Sequence, residues 1–216
     1  LAFRGHHPKW YKFLHDGVKC RVAADCLARG GKITKKAVGF GREVLIDICD
    51  HLLKQGDEAL GYEERCIVAL LYAAVGRGGE VSYATWNSAR WDKARQHLVF
   101  DWGEKKKGAQ YLMTFHPDST DWRVDVIHAL ACYVLCGQGS NQKASTSPQE
   151  SGVHWIFGSY VGMAEGGAAS KVSRILEKCR KGGVNGVPAD SNSHGVRVGA
   201  TDEMIFNHML SIFAAI

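Results

Sequence analysis

The sequence lacks the long apolar runs that would place it in a membrane. Its longest apolar stretches, residues 66–75 and 124–136, are well short of the ~20 residues that a membrane-spanning helix needs. The chain opens at Leu1 without a charged segment followed by an apolar one, a pattern that predicts no secretory signal. We therefore expect a soluble intracellular protein without a membrane partner, nuclear in a eukaryote and cytoplasmic otherwise, and we interpret the start on Leu1 as that of a fragment.

Three catalytic signatures are missing as well. The sequence holds no glycine-rich loop ending in Gly-Lys-Ser/Thr, no Gly-x-Ser-x-Gly turn and no His-Glu-x-x-His. P-loop nucleotide hydrolases, α/β-hydrolases and zinc metalloproteases each depend on one of these motifs. The sequence therefore lacks the motif that is typical of each of these three enzyme classes. We expect neither a nucleotide nor a metal cofactor.

Disulfide bonds are not expected, because the seven cysteines are an odd number scattered along a chain too large for a disulfide-stabilised mini-protein. We interpret them as reduced thiols that pack as small apolar groups. A zinc finger needs two close pairs of ligands, and Cys20 and Cys26 are too far apart to form one. A metal-stabilised interaction domain stays open as a separate class, since Cys132 and Cys136 would share one helix face. A zinc assay on the purified protein would decide it.

Charge is unevenly distributed along the chain. The 216 residues are 45% hydrophobic and 23% charged, which is typical of one globular domain with an appendage. The net charge is +5, but residues 1–40 carry +7 and the remainder −2. Basic residues interleaved with Trp10, Tyr11 and Phe13 suit a polyanion such as nucleic acid, and a solvated linker fits the composition equally well. We assign residues 1–35 to a basic arm or linker from an upstream DNA-binding domain.

Hydrophobic periodicity predicts the secondary structure of the main domain, residues 36–216. Helical spacing predicts helices over 42–53, 63–76, 124–136, 168–181 and 198–216, the second ended by a glycine cluster. Aromatic and β-branched runs predict two strands, 97–102 and 111–115, joined by a basic loop. Strands and helices do not alternate, which excludes a doubly wound nucleotide-binding fold. The predicted fold class is mainly α with a small antiparallel β-sheet (α+β).

Two short motifs combine arginine with groups that bind or orient an anion. In the first, Arg77 follows an apolar helix and Glu80 lies three residues further on, so a carboxylate can orient a guanidinium suited to bidentate phosphate binding. In the second, residues 193–197 lead into the last predicted helix, and their helical spacing sets His194 and Arg197 one turn apart on one face. Taken singly, each motif fits an ordinary helix end or surface ion pair better than a functional site.

Taken with the predicted hairpin and its loop Lys105–Lys107, these motifs resemble the tyrosine recombinase family of phage integrases and eukaryotic mobile-element recombinases. The catalytic domain of that family carries an arginine followed by two small residues, an acid and a tryptophan, then a lysine on a β-hairpin and a His-x-x-Arg box. Five residues match the arginine box and the His-x-x-Arg box: Arg77, Glu80, Trp86, His194 and Arg197. The segment 115–130 is particularly similar to DIRS- and Crypton-type recombinases.

The resemblance implies a tyrosine-recombinase-like catalytic domain that cuts and rejoins DNA at specific sites, as in DNA recombination and integration. In that chemistry a tyrosine forms a covalent phosphotyrosyl intermediate. Arg77 and Arg197 would hold the non-bridging oxygens of the scissile phosphate. His194 would hydrogen-bond the phosphate and help to manage the proton of the nucleophile.

The resemblance also assigns a general acid and the partners. A hairpin lysine would protonate the leaving 5′-oxygen. We favour Lys107, which directly precedes the turn into the second strand, over the alternatives Lys105 and Lys106. The implied partner is double-stranded DNA bound by a homotetramer, and neither a metal nor a nucleotide takes part.

The sequence departs from the family in its nucleophile. No tyrosine follows Tyr160, and Tyr160 precedes the His-x-x-Arg box, whereas the tyrosine of the family follows it. We therefore expect the nucleophile beyond Ile216, so that the chain as given is inactive alone. The alternative is a catalytically inactive DNA-binding derivative of the same family.

Duplex DNA binding is the first testable prediction. The +7 segment should bind duplex DNA weakly and without sequence preference, because phosphate neutralisation supplies most non-specific affinity. A titration from low to physiological salt should show a steep loss of binding. Binding that is absent at low salt, or insensitive to salt, would contradict the nucleic-acid interpretation.

Overall fold

The computed structural model describes residues 38–55, 58–76, 78, 81, 84–104, 110–137, 156–160 and 167–214. By its contacts the chain divides into two units, Leu1–Lys36 and Ala37–Ile216, and all of the described residues belong to the second. The predicted basic arm and most of the predicted loop over 137–152 lie outside the described residues.

Within the described ranges the second unit is mainly helical with one small antiparallel sheet. The elements in chain order are α1 Arg42–Leu53, α2 Glu58–Ala73, β1 Ala89–Asp92, β2 His97–Glu104, β3 Gln110–Phe115, α3 Val126–Cys132, α4 Gly167–Lys181 and α5 Ser193–Ala214. Short 3-10 turns cover Trp86–Ser88 and Gly158–Tyr160, and a π-helical turn, Tyr133–Gly137, continues α3. This confirms the predicted α+β class. None of the described helices has the length and apolarity to cross a bilayer.

Helix α2 is the centre of the fold. It contacts each of the other four described helices, and every residue from Cys66 to Tyr72 is at most 7% exposed. A helix that is apolar on all sides must be buried on all sides. The close approach of α1 requires Gly61, because a Cβ there would overlap the carbonyl oxygen of Leu52. The other described helices therefore pack around α2.

The sheet has the strand order β1-β2-β3. The predicted hairpin is confirmed as β2 and β3, with Leu98 opposite Phe115 and Phe100 opposite Met113. Leu98, Phe100 and Phe115 are buried in the common core. Strand β1 was not predicted. It pairs with β2 from Ala89 to Asp92, and its four residues are too few to show a strand periodicity.

The bounds of three helices differ from the prediction. Helix α2 begins at Glu58 rather than at residue 63, and α5 begins at Ser193 rather than at residue 198. The helix predicted over 124–136 is α-helical only to Cys132 and then widens to a π-turn. Because a π-turn changes the spacing, Cys132 and Cys136 do not share a regular α-helical face.

The end of α2 also corrects the prediction, because a valine rather than the glycine cluster terminates the helix. Val75 adopts a left-handed φ of 48°, and the N–H of Gly76 donates to the carbonyl of Leu71 at 3.1 Å. This is the hydrogen bond of a Schellman cap. A β-branched residue rarely adopts that conformation, so surrounding contacts must hold the chain in it just before Arg77.

Asp118 organises the connection between β3 and α3. Its carboxylate accepts hydrogen bonds from Arg42 of α1 at 2.5 Å and from the Thr120 hydroxyl at 2.6 Å, and its N–H donates to Asp125 at 2.7 Å. Burial tends to raise the pKa of Asp118, but the bonds from Thr120 and Arg42 outweigh burial and lower it from 3.8 to about 2. This carboxylate therefore ties the connection to α1.

Acid should weaken this tie. Because the pKa of Asp118 is lower in the folded than in the unfolded chain, its contribution is complete above the ordinary Asp pKa and is lost as the pH falls through about 2. We expect Asp118→Asn to cost about 2 kcal/mol at pH 7 and to flatten the pH dependence of stability in this range. Urea unfolding at several pH values measures both, and an unchanged pH profile would contradict the assignment.

Candidate functional site

The His-x-x-Arg motif occupies the first turn of α5. The side chain of Asn192 caps the helix by accepting the N–H groups of His194 at 2.9 Å and Gly195 at 3.1 Å. His194 is exposed and Arg197 is half-buried. Both belong to a helix N-terminus, where free amides and the helix dipole favour an anion. The prediction that they lie one turn apart on one helix is confirmed.

Gly78 lies against the start of α5. A Cβ on Gly78 would lie 3.3 Å from Cβ of Ser193 and 3.4 Å from Cα of Ala169 in α4. Gly78 directly follows Arg77, and Ser193 directly precedes His194. The backbone of Gly78 therefore lies beside the side chain of Ser193 and the backbone of Ala169, at a point where the first turns of α4 and α5 meet.

Several predicted site residues lie outside the described residues. These are Arg77, Glu80 and the three lysines Lys105, Lys106 and Lys107. The strands that flank the lysines are described, and Glu104 of β2 pairs with Gln110 of β3. Trp86 begins a 3-10 turn capped by Thr85 and packs half-buried against the core.

A cleft of about 280 Å³ opens elsewhere, between α1, α2, the segment after β3 and α5. Its polar lining comes from four parts of the chain: Arg42, Tyr72, His116, Asp118, Asp125 and Glu203. The Tyr72 hydroxyl donates to Glu203 at 2.5 Å, and burial together with this bond raises the pKa of Tyr72. His194 and Arg197 do not line this cleft, so it is separate from the His-x-x-Arg motif.

A buried polar cluster joins α2 to α4. The Ser159 hydroxyl donates to the carboxylate of Glu63, and the amine of Lys171 donates to the Ser159 hydroxyl. Lys171 Nζ also lies 3.5 Å from Glu63 Oε2. Glu63 is fully buried. Burial lowers the pKa of Lys171, and the opposite charge of Glu63 acts against that shift. The cluster fixes α4 just after Ala169, whose Cα lies beside Gly78.

Arg65 makes the matching connection on another side of α2. It is fully buried and donates to the carbonyls of Arg123 at 2.8 Å and Trp122 at 2.7 Å. It also lies 3.0 Å from His128 Nδ1 and 5.5 Å from the centre of the Trp122 ring. Burial and the charge of Arg65 lower the pKa of His128. Arg65 therefore holds the segment before α3 on α2.

The five cysteines that the structure describes are free thiols. Cys49, Cys66 and Cys179 are buried, and burial raises the pKa of Cys49 and of Cys179 to about 12. The predicted packing as apolar groups is confirmed for these three, whereas Cys132 is half-buried and Cys136 is exposed. Among the residues with described positions, no group of three or more His, Cys, Asp or Glu side chains is arranged to hold a metal ion.

The chain matches no protein-family model and no curated protein sequence. The resemblance to the tyrosine recombinases therefore depends on the matched residues and on the contact between Gly78 and Ser193. The described residues form a mainly helical domain in which Gly78 lies beside Ser193 at the start of α5.

Several residues that build this region were not predicted from the sequence. Asn192 carries a local signal, because asparagine before a helix is a preferred N-cap. Glu63, Glu64 and Arg65 also give a signal, since three consecutive charges interrupt an otherwise apolar helix. Lys171 and Ser159 give none, because their partner Glu63 is distant in sequence.

The buried cluster predicts a large effect of one substitution. Lys171→Met should destabilise the protein by about 3–5 kcal/mol, because it leaves the buried Glu63 carboxylate without its cation. Adding Glu63→Gln should recover most of the loss, since a neutral amide needs no counter-charge. Lys54→Met is the matched control, because Lys54 pairs with Asp50 at the surface and should cost less than about 1 kcal/mol. Urea unfolding measures all three, and equal losses for the two lysine variants would contradict this role.

Proposed function

We propose that the second unit is a catalytic domain of the tyrosine recombinase type, which cuts and rejoins double-stranded DNA. The observation that carries the proposal is the packing of Gly78 against Ser193. Gly78 follows Arg77 and Ser193 precedes His194, although the two pairs are far apart in sequence. We infer from this contact that the two arginine motifs adjoin, a convergence that stability alone would disfavour because like charges repel.

The proposed chemistry is a transesterification at one phosphate. A tyrosine oxygen bonds to phosphorus while the bond from phosphorus to the 5′-oxygen breaks, and the phosphate stays attached to the enzyme for rejoining. Arg77 and Arg197 stabilise the charge that builds on the non-bridging oxygens. His194 assists removal of the phenolic proton, and Lys107, or its neighbours Lys105 and Lys106, protonates the leaving oxygen.

Two further features support DNA as the substrate. The +7 segment over residues 1–40 suits a polyphosphate. The capped N-terminus of α5 offers its dipole to an anion beside His194 and Arg197. With this partner the protein would act in DNA recombination or integration by a mobile element, in the nucleus of a eukaryotic host and as a homotetramer on DNA.

The alternative candidate is a DNA-binding derivative that has lost catalysis. The observation that favours it is that no tyrosine follows Tyr160 in the sequence. Both candidates share the arginines and the basic segment, so DNA affinity does not separate them. Covalent trapping of the protein on cleaved DNA separates them, because only an active recombinase forms the phosphotyrosyl bond.

The decisive experiment uses a nicked DNA substrate whose cleavage product cannot be rejoined. We expect the chain extended past Ile216 by its downstream sequence to form a covalent complex, and the 216-residue chain to form none. Failure of the extended chain to be trapped would favour the inactive derivative. Cleavage by the 216-residue chain that requires magnesium would contradict both candidates.

Replacing Arg197 should separate catalysis from binding. In the extended chain, Arg197→Ala should lower the cleavage rate by about 100- to 1,000-fold, because the contact strengthens in the transition state. Duplex affinity should fall by about tenfold or less. Arg180→Ala is the matched control, since Arg180 pairs with Glu177 near the far end of α4, roughly 16 Å along the helix from Ala169. Equal effects of the two variants would contradict the assigned role.

A further inference from the structure

The segment Val38–Phe40, here called the strap, crosses the first two turns of α5 with its backbone against the helix backbone. A Cβ on Gly195 would lie 2.8 Å from the carbonyl oxygen of Val38, and one on Gly199 would overlap the carbonyl oxygen of Phe40. From the other side, a Cβ on Gly39 would lie 2.5 Å from the N atom of Gly199. The crossing therefore has no room for a side chain at Gly39 of the strap or at Gly195 and Gly199 of α5.

The two helix glycines occupy one face of α5. Gly195 and Gly199 are four residues apart, so they lie one above the other on the helix surface. Gly195 lies between His194 and Arg197 in the sequence. The strap therefore contacts the turn that presents both predicted anion-binding side chains.

These glycines make the start of α5 weak on its own. Glycine is among the poorest helix formers, because its backbone loses more freedom on folding than that of any other residue. The first turn of a helix also has unsatisfied N–H groups, of which the Asn192 cap satisfies two. Tertiary contacts must hold this turn in place.

The strap itself is anchored to the fold. The Phe40 ring is buried and stacks on Tyr72 of α2 with 6.3 Å between ring centres. Tyr72 in turn donates its hydroxyl to Glu203, further along α5. Strap, α2 and α5 thus form a closed ring of contacts around the start of α5.

We propose that the strap is the positioning element of the His-x-x-Arg motif, with Gly39, Gly195 and Gly199 as positioning residues that set where His194 and Arg197 present their charges to a DNA phosphate. The inference rests on the proposed function. It adds that the geometry of the anion site depends on backbone contact with a segment distant in sequence. A strap that only stabilised the fold would leave the contribution of Arg197 to DNA affinity unchanged.

A double-mutant cycle separates these roles. The 216-residue chain is titrated with a short DNA duplex at low salt, as Gly195→Ala, as Arg197→Ala and as both together. We expect each single variant to lose roughly fivefold to tenfold in affinity, and the double variant to lose little more than either. If the losses multiply instead, the strap acts through general stability and the inference is overturned.

The matched control is Gly41→Ala. Gly41 adjoins the strap, but a Cβ there would meet no atom within 4 Å. We expect this variant to bind DNA like the wild type, and its combination with Arg197→Ala to lose only what Arg197→Ala loses. A loss equal to that of Gly195→Ala would overturn the inference, because the effect would then not depend on the crossing.

Two further variants protect the test against misfolding. Gly199→Ala introduces the closest overlap at the crossing and therefore has the largest effect on folding. Gly39→Ala changes the same crossing from the side of the strap. Thermal melting establishes that each variant is folded at the titration temperature. We expect the DNA-induced shift of the His194 ring resonance to shrink in the folded crossing variants and to persist in Gly41→Ala. An unchanged shift of the His194 resonance in those variants overturns the inference about the strap but leaves the proposed function standing. An Arg197→Ala chain that binds DNA like the wild type overturns the proposed function as well.

Discussion

The fold depends on burying three consecutive charged residues in its central helix. Glu63, Glu64 and Arg65 are each at most 7% exposed, and a buried charge is tolerated only when it is paired or hydrogen-bonded. Each one selects a particular partner: Glu63 the Lys171 and Ser159 pair, Glu64 the amine of Lys178, and Arg65 the carbonyls before α3. Apolar contacts alone would let α2 rotate or slide, whereas these pairings fix its register against α4 and α3.

The candidate site inherits its geometry from that register. The pairings made by Glu63 and Glu64 fix α4 along α2, and the start of α4 at Ala169 contacts Gly78 just beyond the end of α2. The same Gly78 lies beside Ser193, so the starts of α4 and α5 meet at this glycine. The strap contacts the first turn of α5 as well, at Gly195. A site built in this way can present charge rigidly, since each supporting backbone is held by buried groups.

The sequence predicts local features of this domain and misses the distant ones. Helix α1 and the hairpin follow from periodicity and residue type, and the spacing of His194 and Arg197 correctly places them one turn apart. The start of α2 was missed because its first turn precedes the apolar run. The contacts of Lys171 and Gly195 could not be predicted, because each partner is distant along the chain and no periodicity links them. The fold class is thus recoverable from pattern, whereas the support of the site arises only from tertiary packing.

The strap has a consequence for how the protein is made. Val38–Phe40 is synthesised near the start of the second unit, and the α5 turn that it contacts is synthesised near the end. At ribosomal rates of about 5–20 residues per second, the strap waits on the order of ten seconds for its partner. Until then the strap lacks its contact with α5, and a contact of such high sequence separation also closes slowly. The His-x-x-Arg turn is therefore among the last parts of the domain to reach its native position on the ribosome, so a nascent chain carries the basic segment well before this turn is ordered.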